Sequence, residues 1–252
     1  MTDHTASTLF IRLLASLILL ACQSVLADGA FPQTLRPAEA QYRVVVNGIP
    51  VGLKATIRLE AVQDHYQLRF LIDNKLFRHE EISQFQWRNC YALPMHYQHA
   101  SSGFGIERQG DIRFDWQQHL AIGSEGNYSL PEAVTDALGI AMMARCKMAR
   151  GDESFSYPVA EAEGLTTYQY QTLGTRELET PAGNWHVAGL ERDYPEGGRR
   201  SRFWAARELD YFMVRMDHQE NPFIRGRIEM TDFRYLDSPS PERQEGITSA
   251  RR

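Results

Sequence analysis

Cysteine is scarce in this chain, with three among 252 residues. That is too few for a disulfide-held miniature scaffold, and no C-x-x-C pair or spaced Cys/His set suggests structural zinc. Basic charge is not in excess either. Lys and Arg number 27 against 32 Asp and Glu, a net charge of −5, whereas a protein that grips a phosphate backbone needs a basic surface, so nucleic acid is set aside as a partner. Long hydrophobic runs are limited to Leu13–Ala21, too short to cross a bilayer core of roughly 30 Å, which takes a helix of about 20 residues. No repeat of fixed period is present, which removes solenoids and propellers.

Signatures of catalysis are missing as well. His96 and His99, the closest histidine pair, sit three apart in a strand-like stretch and face opposite sides. His79-Glu80-Glu81 lacks the second histidine of H-E-x-x-H. Gly123-Ser124-Glu125-Gly126 is not a nucleophile elbow, and Gly103-Phe104-Gly105 with Gly110 misses the dinucleotide-binding spacing; turns account for both. Carboxylates such as Asp111 and Asp115 are scattered, with nothing to set two of them at glycosidase separation. The sequence therefore assigns no catalytic residue, no metal ligand and no cofactor.

The N-terminus carries an address. Arg12 precedes the apolar run, and Val25-Leu26-Ala27 offers the small or modest residues that a signal peptidase reads, so residues 1–27 are expected to be a cleaved export signal and Asp28 the mature N-terminus. A rival reading takes Leu19-Leu20-Ala21-Cys22 as a lipobox, with Cys22 lipidated and the domain tethered to a membrane. The first reading puts the protein in a bacterial periplasm, the second on a membrane as a lipoprotein. In either compartment Cys90 and Cys146 are free to form a disulfide, or to stay as two small buried apolar residues.

Residues 28–38 read as an extended leader with two prolines, 39–236 as a single β-rich domain, and 237–252 as a disordered tail rich in Ser, Pro, Glu and Arg. Asn47-Gly48 supplies the positive-φ residues of a tight hairpin turn. Beyond it Val51, Leu53, Ala55, Ile57 and Leu59 alternate with polar residues, and Tyr66, Leu68, Phe70 and Ile72 repeat the pattern, an antiparallel meander with one wet face. Further strands are expected over 81–87, 95–100, 105–109, 112–116, 153–159, 166–173, 177–179, 184–192, 201–206, 211–218 and 223–236. One segment differs. Ser129-Leu130-Pro131-Glu132 fits a capping box, and the Ala-, Leu- and Met-rich stretch behind it, closed by Gly151, predicts a helix at about 132–150 that packs on the apolar face of the sheet. The fold class is mainly β (α+β): a curved antiparallel sheet or half-barrel of many strands with one packed helix.

Two features carry some functional colour. Arg199, Arg200 and Arg202 follow Gly197-Gly198 at a hairpin tip, a place for peripheral contact with an anionic membrane or, more plainly, a solvated basic turn. Trp116, Trp185, Phe203 and Trp204 fall on strands that fill a core or line a cavity.

The order of motifs resembles a bacterial exported family, the domain of unknown function 3108. It rests on Val51-Gly52, Phe114-Asp115-Trp116, the Asp136-Ala137-Leu138 helix opening, the Thr180-Pro181-Ala182-Gly183 hairpin, Trp204-Ala205 and Val214-Arg215. The chain departs from that pattern at Thr135-Asp136 and at Met213-Val214. The resemblance implies a β-rich envelope domain and brings no catalytic residues; its element order is also similar in outline to half-barrels of the lipoprotein-carrier type. The leading functional expectation is a non-catalytic periplasmic module that binds or carries a lipid or other amphiphile. The alternatives are a structural or interaction protein of the envelope with a filled core and, third, an envelope hydrolase whose site is assembled from residues distant in sequence.

Overall fold

A computed structural model of the chain describes residues 34–236 except 104, 195 and 196. The export signal with Cys22, residues 28–33 of the leader and the 237–252 tail lie outside the described residues.

Strand β1 (Ala38–Val46) turns through Asn47 and Gly48, at φ 50° and 84°, into β2 (Ile49–Val62). The turn is the one that Asn-Gly favours, because both central residues need positive φ. The meander continues through β3 (His65–Asp73), β4 (Phe77–Arg88), β5 (Tyr91–Gly103), β6 (Ile106–Asp115), β7 (Leu120–Gly123) and β8 (Gly126–Ser129). The last two strands are short and carry little alternation, and the sequence pattern did not predict them. A crossing segment leads to β9 (Thr135–Asp136) and helix α1 (Gly139–Arg150), and a second meander follows: β10 (Ser154–Glu161), β11 (Gly164–Thr180), β12 (Gly183–Asp193), β13 (Arg200–Ala206), β14 (Phe212–Asn221) and β15 (Ile224–Tyr235).

The last strand returns to the first. Antiparallel pairing of β1 with β15, from Ala38 opposite Tyr235 to Val46 opposite Gly226, fuses the two meanders into one fifteen-stranded sheet whose edges are β8 and β9. Every neighbouring pair is antiparallel except β9 with β10. A twisted sheet this wide curls, and here its ends meet. The Tyr128 hydroxyl of β8 donates to the Glu161 carbonyl at 2.7 Å, and Tyr97, Ile112, Phe114, Leu130, Val134 and Ala160 form one core cluster across the junction.

Alternation sorts the two faces. The outer face carries ion pairs within and between strands: Arg43–Glu229 (2.8 Å), Glu229–Arg227 (3.3 Å), Arg227–Asp217 (2.7 Å) and Asp217–Arg215 (2.9 Å) run as one ladder over three strands, β1, β15 and β14. The inner face carries Tyr42, Ala55, Leu59, Leu68, Phe85, Phe212 and Ile228, all buried. The leader joins this core sooner than its prolines suggest, since Leu35 is buried beside Leu59 and Phe85, and Arg36 stacks on the Tyr235 ring.

Helix α1 begins at Gly139, not near Glu132 as the capping box predicts. The backbone before it has other partners. Tyr91 donates its hydroxyl proton to the Val134 carbonyl (2.5 Å) and accepts from the Val134 N–H (3.0 Å), while Thr135 and Asp136 pair with Val159 and Ala160 of β10. Asp136 then plays the capping role: its Oδ1 accepts the Leu138 and Gly139 N–H groups at 2.9 and 2.6 Å, and Ser83 of β4 donates to Oδ2 at 2.6 Å. Gly139 is required rather than tolerated, because a Cβ there would lie 2.6 Å from the Thr135 hydroxyl oxygen. At the other end Gly151 adopts φ 75° and, with Asp152, returns N–H groups to the Met148 and Lys147 carbonyls.

The structure brings Cys90, at the β4–β5 turn, and the buried Cys146 of α1 together as a disulfide pair with Cα atoms 5.8 Å apart. The bridge spans 56 residues, a loop whose closure stabilises the fold by about 4 kcal/mol in the chain-entropy picture. Replacing both cysteines by serine is expected to lower the unfolding free energy by that order, measured by urea titration with the wild type run in parallel with and without reductant. A reductant-insensitive wild type would show that the bridge does not form.

Asp136 yields a pH prediction. It is fully buried, and burial pushes its carboxyl up to about 6 from an ordinary 3.8, against the opposing hydrogen bonds from Ser83, Gly139 and Leu138. The native state therefore holds a proton that the unfolded chain releases. The stability this group contributes is complete below about pH 4 and is lost as pH rises through about 6. Asp136→Asn keeps the Oδ1 acceptor but cannot ionise, so from pH 4 to pH 7 the wild type should lose on the order of 3 kcal/mol relative to the variant. Parallel pH–stability curves would refute the assignment.

Candidate functional site

Between α1 and the concave face of the sheet lies a cavity of about 350 Å³. Its position follows from how the helix is held. Asp136 with Ser83 at its start, and Cys146 with Cys90 further along, fasten α1 to β4 and the β4–β5 turn. Met142, Met143 and Cys146 pack there against Leu68 and Phe85. The opposite flank of α1 presents Ile140, Ala144 and Met148 towards Tyr170, Leu190 and Ala205, and the small alanines leave room. Leu68, Phe70, Ile140, Phe203, Met213 and Met216 make most of the wall apolar.

One end of the cavity is polar. Arg192 is the next-to-last residue of β12 and Ser201 the second of β13, so both sit where that hairpin leaves the sheet. The Arg192 guanidinium carbon lies 3.1 Å from the centre of the Tyr168 ring and 4.3 Å from that of Tyr194. Its Nε is buried with no hydrogen-bond partner, and among the described residues no carboxylate lies within 4 Å of it. The Tyr168 hydroxyl is committed elsewhere, donating to Glu161 at 2.5 Å; burial, first of all, pushes that phenol far above its ordinary value.

Beside Arg192 runs a chain of hydrogen bonds. Tyr194 Oη and Ser201 Oγ are 2.9 Å apart, Ser201 Oγ and His218 Nδ1 2.8 Å, and His218 Nε2 and Glu220 3.0 Å. The hydrogen bond from His218, assisted by Arg199 at 3.3 Å, outweighs burial and holds the Glu220 carboxyl below the usual range. Serine, imidazole and carboxylate stand here in the order of a nucleophile, base and orienting group. The Ser201 backbone is laddered to Arg192 on one side and to His218 on the other.

Two further charged groups face the cavity. Arg145 of α1, only 4% exposed, donates Nε to the Asp210 carbonyl at 2.9 Å; burial lowers its pKa to about 10, which leaves it charged at neutral pH. Glu81 accepts the Tyr97 hydroxyl at 2.9 Å and is paired with His79 at 2.8 Å. No group of three or more potential metal ligands occurs among the described residues.

The arginines picked out in the sequence are not a free basic patch. Arg199 pairs with Glu220 (3.3 Å), while Arg200 (3.5 Å) and Arg202 (2.5 Å) share Glu191. Strand alternation turns Arg200 and Arg202 away from the cavity, onto an outer groove of about 720 Å³ with Arg176, Arg215, Arg225 and Arg227. The aromatics divide as well. Phe203 lines the cavity, Trp204 is buried in a core cluster, over Gly189 and with Arg176 3.6 Å above its ring, and the indole N–H groups of Trp116 and Trp185 are spent on Pro94 and Thr180. Arg192, Tyr194 and His218 escaped the sequence reading, although a signal existed: in β12, Arg192 falls in phase with buried Ala188 and Leu190, a charge at an inward position.

The sequence model of a protein family, described as protein of unknown function (DUF3108), matches residues 41–231. The chain belongs to the DUF3108 family. That range takes in β1 through most of β15, hence the whole cavity. Among solved structures, the fold is similar to a β-barrel-like protein of the domain of unknown function DUF1849 from Brucella abortus, with 11% identity, a TM-score of 0.57 and coverage of 82% of this chain and 100% of that one. A second similarity, to the hypothetical lipoprotein YmcC from Escherichia coli, has 10% identity and a TM-score of 0.30 over 96% of this chain and 100% of that one. No curated protein matches the chain. A DUF3108 member with a β-barrel-like architecture is what the comparisons establish, in agreement with the resemblance and the fold class read from the sequence.

Proposed function

We propose that this protein is an exported, non-catalytic module of the bacterial envelope that binds or carries a lipid or other amphiphile in the cavity beneath α1. The observation that carries the reading is the cavity itself. Its volume falls within the roughly 300–1,000 Å³ of small-molecule sites, its wall is apolar over most of its extent, and a cluster of polar groups, Arg192, Tyr194, Ser201 and His218, borders it along β12–β14. An amphiphile has the same division. A structural envelope protein with a filled core has no use for such a space. Export is supported by the Leu13–Ala21 run and the Val25-Leu26-Ala27 site.

Mature protein purified from the envelope fraction is expected to begin at Asp28; a lipid on Cys22 would replace the periplasmic reading with a membrane-tethered one. In solution, the protein should enhance the fluorescence of N-phenylnaphthylamine with saturable, one-to-one binding. Ala144→Phe, which projects a ring from α1 into the cavity, should weaken that binding at least tenfold while the melting temperature shifts by a few degrees at most. No saturable binding by the wild type, or equal binding by the variant, counts against the cavity as the site.

A further inference from the structure

Resting on that reading, we infer that the amphiphile is a single-chain acid, its carboxylate held by Arg192 and its hydrocarbon lying under α1. The inference starts from a mismatch of charge. A guanidinium brought into a protein wall is ordinarily paired, because an uncompensated buried cation is costly and buried N–H groups without acceptors are rare. Arg145 and Glu81 obey this rule within the protein: one is bonded to the Asp210 carbonyl, the other to Tyr97 and His79. Arg192 is half-buried and forms no ion pair within 4 Å among the described residues: its Nε is buried without an acceptor, and the protein group set against it is Tyr168, whose hydroxyl is bonded to Glu161.

What the protein gives Arg192 is aromatic. Tyr168 and Tyr194 stack on the flat of the guanidinium, a cation–π contact that fixes its plane and leaves its edge, where the N–H groups point, for another partner. A planar carboxylate fits that edge, taking two parallel N–H···O bonds from the guanidinium Nη atoms. The Tyr194–Ser201–His218 chain stands alongside with hydroxyls that can turn to donate to the same head group. Because these residues sit at the end of the β12–β13 hairpin, the head would lie at the rim and the chain would run inward past Phe203 and Met216 towards Leu68 and Ile140.

Volume sets the size of the tail. One water's share of liquid volume is about 30 Å³, and a methylene group is of similar bulk. The space, about 350 Å³, is of a size to take at least one medium-length acyl chain.

The test displaces N-phenylnaphthylamine from the full mature protein with dodecanoate and, separately, with 1-dodecanol, which has the same chain and no charge. Dodecanoate is expected to compete at concentrations at least tenfold lower than dodecanol. Arg192→Met should bring the competing concentrations of dodecanoate and dodecanol to within about twofold of each other, with the fluorophore still bound. If Arg192→Met does not fold, as judged by its melting transition, Arg192→Lys carries the comparison: a point charge without the planar fork should keep a preference for dodecanoate that is reduced several-fold. Equal competition by the two ligands in the wild type, or an undiminished preference in the variant that folds, overturns the inference and leaves amphiphile binding standing. Failure of the wild type to bind the fluorophore or either ligand instead removes the cavity reading and this inference with it.

Discussion

The β1–β15 ladder is the constraint on which the molecule depends. Each half of the chain is a meander that would otherwise end in an open edge. Joining the first strand to the last puts those edges at β8 and β9, only a few residues apart in sequence, and a fifteen-stranded sheet of right-handed twist then rolls until they meet. Everything inside follows: a concave apolar face too broad for a flat core, helix α1, the one α-helix among the described residues, to fill it, and a remainder that the helix does not reach.

Where that remainder lies is decided by the ties on α1. A buried carboxyl at one end and a sulfur link along its length bind the helix to β4 and the β4–β5 turn, so the slack is on the side of β12–β14. That is also where the inner face ceases to be purely apolar, with Arg192, Ser201 and His218 among Leu190, Phe203 and Met216. The helix therefore acts as a fixed partition, and its placement determines which inward-facing polar residues are packed over and which border open space.

Much of the fold was legible because most of it is local. Four inward residues, Leu53, Ala55, Ile57 and Leu59, and the Asn47-Gly48 turn are written locally and form the hairpin they imply, whereas Val51, beside the bulge at Gly52, is exposed. The start of α1 was misread for a tertiary reason. Ser129 and Glu132 make a good local cap, but a phenol from β5 and a two-residue parallel bridge to β10 claim the backbone between Val134 and Asp136, and no local pattern announces them. The cavity's polar end is harder still. Tyr168, Arg192, Ser201 and His218 come from four strands, and their meeting depends on register. The Arg199–Arg202 cluster shows the converse, since its charge is plain in the sequence while its partners Glu191 and Glu220 lie on neighbouring strands.

The closing ladder also bears on how the chain reaches its native state. Strand β1 is the first to be made and β15 the last, and Tyr42 cannot sit opposite Met230 until nearly the entire domain exists. Until then β1 and its apolar row are an unprotected edge, able to pair with any strand that drifts by. Contacts of such long sequence separation also place the fold among the slow ones. A chain emerging N-terminus first would spend its whole delivery in that incomplete state, so the period of greatest exposure to misassembly is set by the time needed to complete the polypeptide rather than by the stability of the finished barrel.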